Sequence, residues 1–175
     1  MLKFFVSGHI LSKTLYDQEQ KRKENIVKQN FTVKKPNEVW VSDVTYYKFN
    51  NMIFYICVII DLYARKVIAY NISNSNNTRL VKRTLKEAYE ERKPDDGLIF
   101  HSDNGSNYTS KSFMKYLNEL NITQSFSRPH IPYDNSVVES FFKYLKAEEL
   151  YRTKYKSERE FKEVIKKALK NTKSP

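Results

Sequence analysis

LIFHSDNGSNYTS (residues 98–110) and PYDNSVVESFFKYLKAEEL (residues 132–150) decide how this chain is read. The first is a short apolar run that ends on Asp103 and breaks at Asn104-Gly105, a strand meeting a sharp turn. The second is a loop followed by an amphipathic helix, expected from Asn135 to about Leu150. Val138, Phe141, Phe142 and Leu145 form its core side, and Glu139 lies near its start. Thirty-five residues separate the two acids, and a third, Asp43, stands upstream in VWVSDVTYY (residues 39–47).

Val39 to Lys48 reads as a strand, rich in β-branched and aromatic residues. Asn50-Asn51 is a hairpin signal, and Met52 to Leu62 and Lys66 to Ile72 are the next two strands. Residues 73–78 (SNSNNT) end in helix-capping residues. The helix they open carries Leu80, Val81, Leu85 and Ala88 on one face, with Arg79, Lys82, Arg83 and Lys86 on or near its polar side. Leu98 to Ser102 is a strand, Lys111 to Leu120 a helix and Ile122 to Ser127 a strand. Arg128 to Tyr133 is a loop with two prolines, and residues 157–171 are a basic helix. Three antiparallel strands followed by alternating helices and strands define an α/β class, with a mixed five-stranded sheet flanked by helices. The expected division is a tail or linker remnant over 1–35, a core over 36–155 entered at Pro36-Asn37, and a basic C-terminal helix over 156–175.

The chain's 175 residues suffice for one domain with a real core. Its 31 basic against 20 acidic residues leave a net charge of +11, which favours polyanionic partners. Residues 141–175 hold eleven Lys or Arg against five Glu, more than half of that excess. Cys57 is the only cysteine, so neither an internal disulfide nor a cysteine zinc cluster is available, and a reduced cytosolic thiol is expected. The apolar run from Ile53 to Ile60 is too short to span a bilayer, and MLKFFVSGHIL lacks the apolar length and cleavage site of a signal peptide.

Phosphodiester chemistry needs an activated oxygen nucleophile and a stabilised leaving oxygen, which two divalent ions about 3.5–4 Å apart supply. Hard cations take oxygen ligands, so such a site gathers carboxylates from several elements. Asp43 in a buried strand is costly unless paired or metal-bound; a position at an exposed strand end is the other reading. Asp103 stands at a strand's carboxyl end, where α/β proteins bind ligands, or is a turn-forming Asp. Glu139 is a site carboxylate or a helix-dipole residue. Asp61 reads as a turn residue or local ion pair, Asp134 as a cap or Asx turn, and His101 as support for the site or plain packing.

VWVSDVTYY, VIIDLYARKVIAY (residues 58–70), IFHSDNGSNYTS and PYDNSVVESFFKYLKAE together resemble the catalytic core of bacterial insertion-sequence transposases, of the retroviral-integrase-like DDE superfamily. The resemblance covers roughly residues 31–155. It implies a ribonuclease H-like fold and places the family's catalytic, metal-holding triad on Asp43, Asp103 and Glu139. It also implies Mg2+ (or Mn2+), with two ions, and a metal-dependent polynucleotidyl transferase that cleaves DNA and joins strands. Transposon ends and target DNA are the implied partners, the protein acting as a homodimer or higher multimer in the bacterial cytoplasm, at the nucleoid. Lys143 and Lys146, four and seven residues after Glu139, take the place of phosphate-contacting lysines; an i,i+4 pair of Lys143 with Glu139 is the alternative. Arg128, in the preceding loop, is a further expected DNA contact. The loop Arg128-Pro129-His130-Ile131-Pro132 lacks the family's usual glycine. The upstream helix-turn-helix and a terminal family segment are not found, so a fragment is expected. A ribonuclease H-like nuclease and a non-catalytic nucleic-acid-binding relic are the competing readings.

Overall fold

The computed structural model describes residues 24–29, 32–128 and 131–171. In chain order the elements are β1 (Val39–Phe49), β2 (Met52–Asp61), β3 (Lys66–Ser73), α1 (Thr78–Arg92), β4 (Ile99–Ser102), α2 (Lys111–Glu119) and β5 (Thr123–Phe126). A 3-10 turn (Pro132–Asn135), α3 (Ser136–Leu145), a π turn (Lys146–Leu150) and α4 (Glu158–Asn171) follow. The β1–β2 hairpin closes at Asn50 and Asn51, both left-handed at φ 46° and 63°, the conformation that lets a two-residue turn match strand twist.

The sheet order is β3-β2-β1-β4-β5. β1, β2 and β3 are antiparallel neighbours, whereas β1–β4 and β4–β5 are parallel. The chain therefore builds outward from β1 to one edge and then returns to β1's other side. The crevice between β1 and β4 is the point where strand order reverses, the usual ligand position in open α/β sheets. Pairing of β1 with β4 covers only Val39↔Ile99, Trp40↔Phe100 and Val41↔His101, so the later part of β1 is not hydrogen-bonded to β4.

Strand alternation sorts the core into two halves. Val39, Val41, Ile56, Val58 and Ile60 pack with α3 and α4 on one face. Trp40, Cys57 and Ile59 pack with α1, α2 and Phe100 on the other.

Described residues of both expected end segments pack against this core. Residues 1–23 of the expected tail lie outside the described residues. Among the rest, Val27 is buried with α3 and α4, and the chain there runs along β5: Phe126 N–H donates to Glu24 O at 3.0 Å, and Ile26 N–H to Ser125 Oγ at 2.9 Å. α4, expected as a separate basic helix, buries Phe161, Ile165 and Leu169 completely. The Phe161 ring stacks near Tyr47 (centroids 5.5 Å apart) and meets Phe54 at 4.8 Å and Tyr155 at 5.1 Å. Asp61, expected as a turn residue or local ion pair, does hold the turn: its Oδ1 accepts from Tyr63 N–H at 3.0 Å. It is fully buried and pairs with Arg92 of α1 at 3.0 Å, tying β2's end to the end of that helix.

Phe161→Ala is expected to lower the unfolding free energy by about 3–5 kcal/mol, read from urea denaturation. Lys167→Ala on the exposed side of α4 should change it by less than about 0.5 kcal/mol. A small effect of both would make α4 the appendage that its composition suggests.

Candidate active site

Asp43 shares the strand face of Val39 and Val41, and so lies on the side covered by α3. Its carboxylate is half-buried, and Oδ1 accepts from the neighbouring Val44 N–H at 2.7 Å. Burial raises its pKa to about 7; the Val44 hydrogen bond opposes this, Asp103 and then Glu139 push it further up, and Lys146 pulls it down. The field at Asp43 thus brings together the three acids that sequence reasoning selected and one of the two lysines.

Asp103 follows β4 directly. Carrying the β1–β4 register two residues past Val41↔His101 puts Asp43 and Asp103 at one level. Its Oδ1 accepts from Gly105 N–H at 3.0 Å. A Cβ on Gly105 would stand 2.9 Å from Asp103 Oδ1, so a side chain there would displace the carboxylate. Gly105 O in turn accepts from Tyr108 N–H and Thr109 N–H, both at 3.0 Å. Beneath the acids, Ser42 Oγ and Tyr108 Oη lie 2.9 Å apart in a buried hydrogen bond. Ser42 neighbours Asp43 and Tyr108 belongs to the Asp103 loop, so this bond fixes the two segments together. Burial holds the Tyr108 phenol well above its ordinary pKa, hence neutral.

Glu139 sits in the first turn of α3, half-buried, while Val138, Phe141 and Leu145 of the same helix are in the core. The entry to α3 is clamped through Asp134. This carboxylate is fully buried and accepts from Asn25 Nδ2 (2.6 Å), Gln29 Nε2 (2.8 Å), Arg128 N–H (2.9 Å) and Arg128 Nε (3.0 Å) and Nη2 (3.2 Å). The Arg128 guanidinium chiefly holds its pKa well below the carboxylate range. His101 Nε2 lies 2.8 Å from Asp134 O and Nδ1 lies 2.9 Å from Ser125 Oγ. A backbone carbonyl only accepts, so Nε2 carries the proton and Nδ1 receives the Ser125 hydroxyl. Burial lowers the His101 pKa, consistent with this neutral form.

Several expectations change here. Asp134, expected as an N-cap or Asx turn, is instead a buried hub whose carboxylate is taken by Arg128, Asn25 and Gln29. Arg128 turns one edge of its guanidinium, Nε and Nη2, to Asp134, which offsets its charge and leaves the rest of the exposed group facing outward. Both ring nitrogens of His101 are engaged, which makes it a support for α3 and leaves no nitrogen for a metal. Pro129 and His130 of the same loop lie outside the described residues. The expected single helix to Leu150 becomes α3 plus the π turn. Lys143 is exposed, whereas Lys146, at the start of that turn, is half-buried with Nζ 5.7 Å from the Tyr46 ring centre.

Two buried side-chain oxygens have no hydrogen-bond partner among the described residues: Asn104 Oδ1, beside Asp103, and Asn135 Oδ1, one turn before Glu139. Among the described residues no three His, Cys, Asp or Glu side chains are already gathered at metal-ligating distance. Like charges do not close on one another unaided, and Asp43 and Asp103 each turn an oxygen to a nearby backbone N–H instead. The donor set is all oxygen, which suits a hard divalent cation; Cys57 is fully buried within the other core half. The larger clefts lie elsewhere, one of about 680 Å3 beside α2 and β5 and one of about 660 Å3 between α1 and α2.

Residues 33–132 match the Integrase core domain family, more than half of the chain, and the protein belongs to that family. It is similar to the transposase for insertion sequence element IS904 of Lactococcus lactis, 37% identical over 124 residues, 71% of this chain and 49% of the relative. It is 36% identical over 125 residues to transposase InsF for insertion sequence IS3A of Escherichia coli, 71% of this chain and 43% of that protein. The chain thus spans about half the length of the curated relatives it matches. The fold matches the catalytic domain of Mos1 mariner transposase with a TM-score of 0.64 at 16% identity, over 78% of this chain and 71% of that one. It also matches the HTLV-2 integrase catalytic core domain in complex with magnesium, trimeric form, with a TM-score of 0.53 at 21% identity, over 77% and 83% of the two chains. The mixed five-stranded sheet with flanking helices is a ribonuclease H-like fold. Among the described residues no helix is long and apolar enough to cross a membrane.

The Asp43 pKa has a consequence for stability in chelator. The folded protein keeps the Asp43 proton up to about 7, against an ordinary 3.8, so the unfolded chain releases it first. Stability from this group is complete below pH 4 and falls as pH rises through 7. Asp43→Asn should remove that loss, gaining about 2–4 kcal/mol at pH 8 relative to pH 4 against wild type. Parallel pH profiles of urea denaturation for the two proteins would contradict the shift.

Proposed function

We propose that this chain is the catalytic core of a DDE transposase that cuts DNA and joins strands with divalent metal. The observation carrying this reading is that Asp103 and Glu139 both act on the half-buried Asp43 carboxylate beside the β1–β4 crevice. The three carboxylates would hold Mg2+ (or Mn2+), as two ions, and their all-oxygen donor set suits such cations. When bound, the ions supply a lowered pKa for an attacking hydroxyl and charge stabilisation for the leaving oxygen.

The chain's own residues do the rest. Asp43 gives up its proton before it can hold a cation, so cation affinity weakens as pH falls below about 7. Gly105 N–H and the Ser42–Tyr108 bond orient the Asp103 loop. Asp134 and His101 set the position of α3, and with it Glu139. Lys146 and the exposed Lys143 meet DNA phosphates on the same side. Residues 36–155 supply the catalytic core, with residues 24–29 and α4 packed into it. The protein acts on transposon ends and target DNA as a homodimer or higher multimer.

Asp103→Asn should leave the fold intact and cut metal-dependent nicking and strand transfer by at least about 100-fold, the scale of losing one charge-stabilising group. A labelled duplex with a transposon end, incubated with Mg2+ or Mn2+, reports both steps on a denaturing gel. Undiminished strand transfer by the variant would sink the assignment.

A further inference from the structure

The cleft of about 660 Å3 between α1 and α2 carries a charge pattern separate from the carboxylates. Arg79, Lys82, Arg83 and Lys86 line it, three, four and seven residues on from the first, and so form one stripe of α1. The facing wall includes Ser112 and Tyr116 of α2, and no acid lines the cleft. Lys82 Nζ lies 4.8 Å from the centre of the Tyr116 ring, which holds one cation against the wall.

This pattern works against the helix that bears it. Arg79 sits in a first turn that contains no acid, where the helix dipole disfavours a cation. Arg79 with Arg83, and Lys82 with Lys86, are like charges at i,i+4, which repel. Other helices match cation to acid at that spacing: Lys115 to Glu119 at 3.8 Å and Arg159 to Glu163 at 3.0 Å. Within the stripe, only Lys86 has such a partner among the described residues, Glu90 at 3.6 Å. Glu87, one turn beyond Arg83, is taken by Asn71 Nδ2 at 2.8 Å. A cationic stripe that weakens its own helix is explained by an external anion.

The cleft lies on the sheet face opposite α3, and the loop that follows Asp103 reaches its α1 end. Asn107, in the loop after Asp103, donates to Asn76 Oδ1, just before the Asn77 cap of α1. From Arg79 to Lys86 the stripe extends about 10 Å, the axial length of about three phosphates of one DNA strand.

We propose that the α1–α2 cleft is a second duplex-DNA contact, in which these four cations hold the phosphate backbone of DNA that continues past the carboxylates. The contact reads charge and not sequence. It rests on the DNA reading above but concerns binding alone.

The test is duplex binding by the full chain across a salt series in chelator, so that cleavage does not enter the readout. The double variant Arg79→Gln with Arg83→Gln should reduce the slope of log affinity against log salt by about 2, one for each lost phosphate contact. Arg79→Lys with Arg83→Lys should restore it. Unchanged slopes would overturn the cleft contact and leave the carboxylate reading standing. Should the Gln variant fold poorly, wild type decides: duplex should shield Lys82 and Lys86 from an amine-acetylating reagent, and equal labelling with and without DNA would overturn the proposal. Failure of wild type to bind duplex at any salt concentration would overturn both readings together.

Discussion

A carboxylate set into the central strand is the constraint that the surrounding structure accommodates. Asp43 lies on β1, with β2 hydrogen-bonded along one edge and β4 along only the first three residues of the other. Burial there works against its charge, and two further acids nearby work against it again. An arrangement that concentrates negative charge at a crevice, only partly offset by Lys146, costs stability by itself. Such an arrangement points to function more strongly than each acid would singly. The reversal of strand order at β1 and β4 supplies the opening beside it.

Glu139 belongs to a helix that packs on the sheet but is reached through a loop. The loop is held by contacts that converge from distant parts of the chain. Asp134 receives Asn25 and Gln29 from upstream of the core and Arg128 from its own loop, while its carbonyl receives His101 from β4. The strand that leads to Asp103 therefore also anchors the turn that leads to Glu139. Through Asp134, the segment preceding the sheet is tied to the turn that leads into α3.

Much of this fold is legible in the sequence because its signals are local. Asn50-Asn51 marks the hairpin, and both residues adopt the left-handed conformation that made the signal. The β-branched and aromatic residues of VWVSDVTYY and the apolar spacing of α1 and α2 place those elements within a residue or two, whereas α3 ends five residues before its expected limit. What sequence reading missed is long-range. Nothing near Asp134 announces partners 105 and 109 residues away, and Asp61 pairs with Arg92, 31 residues on. Arg128 looked like a free cation because its acid partner was read as a cap. In α4 the i,i+4,i+8 spacing of Phe161, Ile165 and Leu169 was a usable core signal, obscured by the lysines around it. The Ser42–Tyr108 bond beneath the acids had no sequence signal, since each residue is unremarked until the β1–β4 pairing brings it to the other.

The most direct test is a crystal of this chain soaked in Mn2+ and measured for anomalous scattering. Manganese peaks about 2 Å from carboxylate oxygens of Asp43 and Asp103, with Glu139 turned toward them, are the expected result. Manganese bound only at other positions, with these three side chains still directed at their backbone neighbours or at solvent, would contradict a shared cation site.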